Sequence, residues 1–221
     1  MSLLLGKGER GILFGQSGSG KSVAAAWMLH YMPTPIVIYD TKVSPSLVGS
    51  FPGAQVHDGL RKAKLTLEKP VTILRPDPEE LSDPEFLDDM LWRLYLSKRP
   101  MTLYVDEAMD LHNGGRCFRG LLACVSRGRE QGITLLAGTQ RPAWVSLYLT
   151  SEAQHYYIFK LRLKSDRDRV EQITGFRLTH MDKHEFVHID NDDRPTYYEP
   201  VPLTVPLEHR ERLAGLAKPP G

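Results

Sequence analysis

The chain has 221 residues, of which 41% are hydrophobic and 25% charged, and its formal net charge is +1. These proportions fit an ordinary globular protein with one sizeable core. Near-neutrality excludes a global field for nucleic acid or membrane, so any surface for a polyanion has to be local. No apolar run approaches the ~20 residues of a bilayer span. The opening MSLLLGKGERG has three leucines and no basic region before them, which predicts no signal peptide.

In chain order, apolar runs rich in β-branched residues recur as GILFG (11–15), PIVIYD (35–40), VTILRPD (71–77), MTLYVDE (101–107), GITLLAGTQ (132–140) and YYIFKLRL (156–163). Such runs suit strands buried on both faces of a parallel sheet. Helical patterns alternate with them: Ser22–Tyr31, a stripe of Phe86, Leu87, Met90, Leu91 and Leu94, and another of Phe118, Leu121, Leu122 and Val125. The alternation predicts an α/β doubly wound fold. Residues 43–70 form a Pro/Gly-containing connection with no assigned element. Beyond about 180, EFVHID and RPTYYEPVPL predict short antiparallel strands. One domain over 1–205 and a basic tail over 206–221 are expected. Cys117 and Cys124, seven apart in the predicted helix, would lie two turns apart, too far for a disulfide; two reduced thiols in a cytosolic protein are expected.

GQSGSGKS (15–22) fits G-x-x-x-x-G-K-[ST] and lies between a predicted strand and a predicted helix, the context the motif requires. Gly15, Gly18 and Gly20 can take backbone angles closed to other residues, letting the amides of Gln16, Ser17, Ser19 and their neighbours through Val23 curl around an anion at the helix N-terminus. Lys21 is expected to reach the β- and γ-phosphates and Ser22 to offer its hydroxyl to Mg²⁺. The predicted ligand is ATP with Mg²⁺.

MTLYVDE ends in two carboxylates. Asp106 is expected in the Mg²⁺ shell, at the sheet edge that also carries the phosphate loop. Glu107, one residue on, could deprotonate a water for attack on the γ-phosphate, a base for which a nucleotide kinase has no use. Gln140, ending another strand, could sense the γ-phosphate or hold the attacking water. Arg127 and Arg129 precede that strand. They either complement a helix C-terminus or act as an arginine finger inserted into a neighbouring subunit's site.

With these residues in view, the chain resembles the FtsK–HerA superfamily of P-loop DNA-pumping ATPases, over roughly residues 8–170. The segments that carry the resemblance are GQSGSGKS, IVIYDTK, LYVDEAMDL, GREQGITLLAGTQRP and YYIFKLRLKSDRDR. It implies a RecA/FtsK-like P-loop NTPase fold, with the family's D-x-K strand at Asp40-Thr41-Lys42. Glu107 becomes the hydrolytic base after the Walker B Asp106, Gln140 the sensor, and Arg129 the trans-acting finger, with Arg127 as the fallback. It further implies a homo-oligomeric ring, commonly a hexamer, threaded by double-stranded DNA, with Arg141 and Lys164 near the DNA backbone; such phosphate contacts carry no sequence information. Further basic residues stand at Arg116 and Arg119 and through 160–169.

No membrane anchor, winged-helix module or N-terminal barrel is expected. A bare motor of this size looks like the genome-packaging ATPases of PRD1-like, tailless, internal-membrane dsDNA viruses. That reading implies a capsid vertex or membrane protein of the virion as docking partner, and a location in the host cytoplasm or at the packaging vertex. A cellular translocase, a small-molecule kinase and a nucleotide-gated switch are the alternatives. Tyr197 and Tyr198 are candidate adenine contacts.

Overall fold

The computed structural model describes residues 3–63, 66–113, 116–179 and 181–205. The elements run β1 (Arg10–Phe14), α1 (Lys21–Leu29), β2 (Ile36–Tyr39), α2 (Pro45–Ser50), β3 (Gln55–Asp58), β4 (Val71–Arg75), α3 (Pro78–Leu81), α4 (Pro84–Leu96) and β5 (Met101–Val105). They continue with the two-residue strands β6 (His112–Asn113) and β7 (Arg116–Cys117), α5 (Arg119–Ser126), β8 (Ile133–Thr139), α6 (Leu147–Ser151), β9 (His155–Phe159), α7 (Lys164–Thr174), β10 (Phe186–Ile189) and β11 (Pro195–Tyr198).

One nine-stranded sheet has the order β11-β10-β9-β1-β8-β5-β2-β4-β3. The strands from β9 to β3 are parallel, and β10 and β11 add an antiparallel extension beyond β9. This is the expected α/β sheet with antiparallel strands near its C-terminal end.

Alternate residues of each central strand serve opposite faces, because a strand's side-chain period is two. Leu13, Ile36, Ile38 and Leu136 join Ala24, Ala25, Met28 and Leu29 of α1 on one face. On the other, Ile12, Phe14, Leu103 and Leu135 meet Leu87, Met90, Leu91 and Leu94 of α4 and Leu121, Cys124 and Val125 of α5. Each fully buried side chain of this size contributes about 1.5–3 kcal/mol of transfer free energy. The β-branched strands are dictated by this double coverage, and it fixes the frame on which the loops sit.

The frame aligns the strand ends. Gly15 N–H donates to the Thr139 carbonyl at 3.1 Å, Asp106 N–H to Tyr39 at 3.1 Å, and Asp40 N–H to Leu74 at 2.9 Å. Gly15, Asp40, Asp106 and Gln140 therefore share one sheet edge.

Several boundaries differ from expectation. The first helix closes at Leu29, two residues short of Tyr31. The strand read through Leu163 stops at Phe159, and Lys164 opens α7 instead. The connection 43–70 contains α2 and β3. Cys117 is not helical: it lies in β7, and α5 begins only after Phe118, whose N–H donates to the Leu111 carbonyl at 3.2 Å. Both thiols are free, and burial pushes Cys117 up to about 11 and Cys124 to about 12. Arg129 sits in a 3₁₀ turn, Gly128–Gln131, rather than at a helix end. The tail 206–221 lies outside the described residues. Among the described residues no helix is long and apolar enough to cross a membrane.

Candidate active site

β1 is buried along its whole length and delivers the chain to the loop 15–20. At Gly15 a Cβ would fall 2.5 Å from Ser19 Oγ and 2.8 Å from Phe159 Cβ, so only glycine fits. Gly18 and Gly20 adopt φ of 72° and 98°, in the left-handed region that side chains avoid. Gly20 is the N-cap of α1, and no side chain caps it. The first amides of the helix are thus left for an anion, with the helix dipole behind them.

Lys21 follows at once and is only 4% exposed. Burial lowers its ammonium from the ordinary value, nearby Asp106 and Glu107 draw it back up, and Lys42 lowers it further. The residue that lets Lys21 lie here is Gly138 on β8. A Cβ at that position would stand 2.7 Å from the Asp106 carbonyl oxygen, 3.3 Å from Lys21 Nζ and 3.3 Å from Tyr104 Oη.

Asp106 and Glu107, just past β5, are 1% and 3% exposed. Two hydroxyls reach one oxygen of Asp106: Tyr104 O–H donates to Oδ1 at 2.7 Å, and Ser22 O–H to the same atom at 3.4 Å. Burial and the Asp106 charge hold Tyr104 far above its ordinary value, so it stays a donor. Ser22 and Asp106, expected as the metal pair, therefore meet. Among the described residues no group of three or more His, Cys, Asp or Glu side chains could hold a metal by itself. That donor set fits Mg²⁺, which takes one or two protein oxygens and completes its shell with phosphate and water.

Glu107 is engaged at both oxygens. Lys42 Nζ lies 2.5 Å from Oε2, and the backbone N–H of Gln140 donates to Oε1 at 3.0 Å. Lys42, Asp106 and Gln140 line a cavity of about 400 Å³ together with Lys21 and the loop residues from Gln16 to Val23. The loop residues Gln16–Val23, Asp106 and Gln140 thus line one cavity, and Glu107 adjoins it through Lys42 and the Gln140 amide. Sequence reasoning missed Gly138 and Tyr104. It quoted Lys42 without a role. Tyr104 could have been found, since it precedes Asp106 by two and so shares its face of the strand.

Six candidates lie elsewhere. Arg127 and Arg129 are exposed and precede β8, whereas Gln140 follows it. The seven residues of β8 span about 20 Å at ~3.3 Å per residue. Arg129 instead packs on Gly8, just before β1, where a Cβ would stand 3.2 Å from its Cγ. It belongs to the sheet edge opposite its own phosphate loop. Arg141 is tied down: Nε donates to Asp166 at 3.1 Å, and the guanidinium stacks 4.0 Å from the Trp144 ring centroid. Lys164, the first residue of α7, is exposed. Tyr197 and Tyr198 are on β11 at the edge of the sheet; Tyr198 stacks on Phe186 with centroids 5.2 Å apart.

A buried loop lysine facing an acidic strand end across a single intervening strand, on a parallel sheet, defines a P-loop NTPase. No protein-family model matches the chain. It is 29% identical over 167 residues to the DNA packaging ATPase P9 of Enterobacteria phage PRD1, covering 74% of this chain and 69% of P9. Its fold is similar to that of B204, the DNA-packaging ATPase from Sulfolobus Turreted Icosahedral Virus, with a TM-score of 0.68, 17% identity, and coverage of 89% of this chain and 100% of that one. It is also similar to the genome packaging NTPase B204 from Sulfolobus turreted icosahedral virus 2 in complex with ATP-gammaS, with a TM-score of 0.71, 15% identity and the same coverage. The resemblance carried by the motifs holds in both sequence and fold.

Proposed function

We propose that this chain is a viral genome-packaging ATPase: an Mg²⁺-dependent motor that moves double-stranded DNA of any sequence into a capsid. The observation that carries the packaging reading is the match to P9 over 74% of the chain. Hydrolysis rests on Glu107, buried next to Asp106 and bonded to Lys42 and the Gln140 amide.

In the reaction, the loop amides and Lys21 would hold the phosphate chain; Ser22 and Asp106 would hold Mg²⁺, which would supply positive charge against the phosphates. Glu107 takes a proton from water as its oxygen bonds to the γ-phosphorus. The bond from that phosphorus to the β-γ bridging oxygen breaks, leaving ADP and inorganic phosphate. Gln140, at the end of the adjoining strand, would position the water.

Arg129 is out of reach of its own site, which favours action on a neighbour's γ-phosphate within a homo-oligomeric ring, a hexamer by the family pattern. Double-stranded DNA would run through that ring, with Lys164 among the phosphate contacts. A capsid-vertex or membrane protein of the virion would dock the motor, which would work in the host cytoplasm or at the packaging vertex.

The test is the ATPase rate per subunit against protein concentration, with and without double-stranded DNA. A rate that climbs with concentration and climbs again with DNA is expected. A rate flat with concentration and blind to DNA would return the chain to the switch or kinase reading.

A further inference from the structure

Glu107 is the base of the proposed reaction, yet its Oε2 is held by Lys42 at 2.5 Å. A carboxylate oxygen occupied by an ammonium is poorly placed to take a proton from water. The main chain beneath Lys42 is fastened on both sides. The buried Asp40 carboxylate accepts the Ser44 N–H at 2.8 Å and Arg75 Nε at 3.0 Å, and Thr41 O–H donates to Asp110 at 2.8 Å. The Lys42 side chain is different: 35% exposed, on a flexible four-carbon stem, and lining the same cavity as the phosphate loop. Lys21, by contrast, is buried and fixed over Gly138. The four charges of the site, Lys21, Lys42, Asp106 and Glu107, sum to zero. A triphosphate adds negative charge even with its Mg²⁺, and phosphate oxygens compete with a carboxylate for an ammonium.

We infer that Lys42 is a two-position cation, paired with Glu107 before a nucleoside triphosphate binds and carried onto the γ-phosphate afterwards, so that the substrate itself frees the base. This deepens the NTPase reading and rests on it. A diphosphate has no γ-phosphate to draw the ammonium away, so Lys42 discriminates triphosphate from diphosphate and keeps Glu107 idle in the ADP state. No proton or bond is exchanged in the transfer; one ion pair replaces another.

The experiment is calorimetric titration of the full chain with Mg²⁺–ADP and with a Mg²⁺-bound non-hydrolysable ATP analogue. It compares wild type, Lys42→Met, Glu107→Gln and the double variant. Lys42→Met is expected to lose analogue affinity by about ten- to a hundredfold, the range for a hydrogen bond to a charged group. Its ADP affinity should stay within about twofold of wild type. Glu107→Gln, which no longer holds the ammonium as an ion pair, should bind the analogue more tightly than wild type, and the double variant should lose that gain. If Lys42→Met binds both ligands as wild type does, the pair is static and the inference falls; equal loss of both makes Lys42 structural and overturns it too. Lys42→Gln replaces the Met variant if that one fails to melt cooperatively. A wild type that binds neither nucleotide, with Lys21→Ala unchanged from it, would sink the NTPase reading and this inference together. Missing DNA stimulation would sink packaging alone and leave the affinity ratio standing.

Discussion

Glu107 and Gln140, on the ends of neighbouring strands, are joined by a hydrogen bond from the Gln140 main-chain N–H to Glu107 Oε1 at 3.0 Å. The donor is backbone, so the sheet fixes one carboxylate oxygen, while Lys42 holds the other. Replacing the carboxylate with a carboxamide keeps the shape and removes the base. Glu107→Gln is expected to bind nucleotide and to hydrolyse it about 10²–10⁴-fold more slowly, the usual contribution of a positioned base. Single-turnover hydrolysis with prebound ATP measures this, and turnover near the wild-type rate would take Glu107 out of the reaction.

Lys21 lies in a space that Gly138 leaves open. An alanine Cβ at Gly138 would meet the Asp106 carbonyl at 2.7 Å, and backbone cannot swing aside as a side chain can. Gly138→Ala should cost about 1–3 kcal/mol as an overpacked site and should slow turnover by shifting Asp106 against Lys21. Gly49 in α2 is the control, since nothing lies within 4 Å of its added Cβ. There the same substitution should leave both the melting temperature and kcat at or above wild type. Equal effects at the two positions would deny Gly138 its special role.

The parts of this site that were legible in the sequence are those fixed by local chemistry. A glycine-rich turn before Lys21-Ser22 and carboxylates ending an apolar strand are set by the local chain, and the parallel sheet brings them to one edge. What was illegible depends on tertiary approach. Gly138 reads as one more small residue in GITLLAGTQ until β8 is set between β1 and β5 and Lys21 crosses above it. Lys42 and Glu107 are 65 residues apart, and only the adjacency of β2 and β5 makes them a pair. Periodicity placed Cys117 in a helix because Phe118 and Leu121 continue the stripe. The Phe118 amide instead returns to Leu111 and delays the helix to Arg119.

Arg141 and Lys164 were paired as DNA contacts, and their surroundings now separate them. Arg141 neutralises Asp166, which is 2% exposed. Arg141→Ala should therefore lower stability by roughly 1–2 kcal/mol, discounted for the partial exposure of the arginine. Lys164→Ala should leave the melt unchanged, weaken DNA-stimulated turnover on every sequence, and reduce the salt slope of DNA binding by about one. Thermal melts and salt titrations of binding distinguish them; a stable Arg141→Ala protein with lost DNA binding would restore Arg141 as a contact.

On the far side of the sheet, His188 is 2% exposed, with Nε2 at 3.0 Å from His155 Nδ1, and stacked on Tyr157. Burial, then the neighbouring His155, lowers it from 6.5 to about 4, while Asp190 opposes the shift; Glu9 lies 3.2 Å from the far nitrogen of His155. The unfolded chain therefore takes up this proton first as the pH falls. Stability should be full above about pH 6.5 and decline toward pH 4, by at most about 3 kcal/mol from this group. Urea melts between pH 4 and 7.5 should show the slope, and His188→Phe should flatten it. An unchanged slope in that variant would assign the effect elsewhere.

The last expectation turns on the length of β8. Arg129 stands before its first residue and Gln140 after its last, so about 20 Å of strand lies between the arginine and the site its own chain builds. No rotamer of an arginine covers that distance. If Arg129 acts on a γ-phosphate at all, the phosphate is bound by another subunit. Arg129→Ala should then retain ATP binding and lose about 10³-fold or more in turnover, the scale of an arginine finger. Mixing it with the inactive Glu107→Gln protein creates some interfaces that pair an intact Glu107 with an intact Arg129. Activity should reappear in the mixture and peak at intermediate ratios. Silence at every ratio, from subunits shown to co-assemble, would mean that Arg129 does not work across an interface.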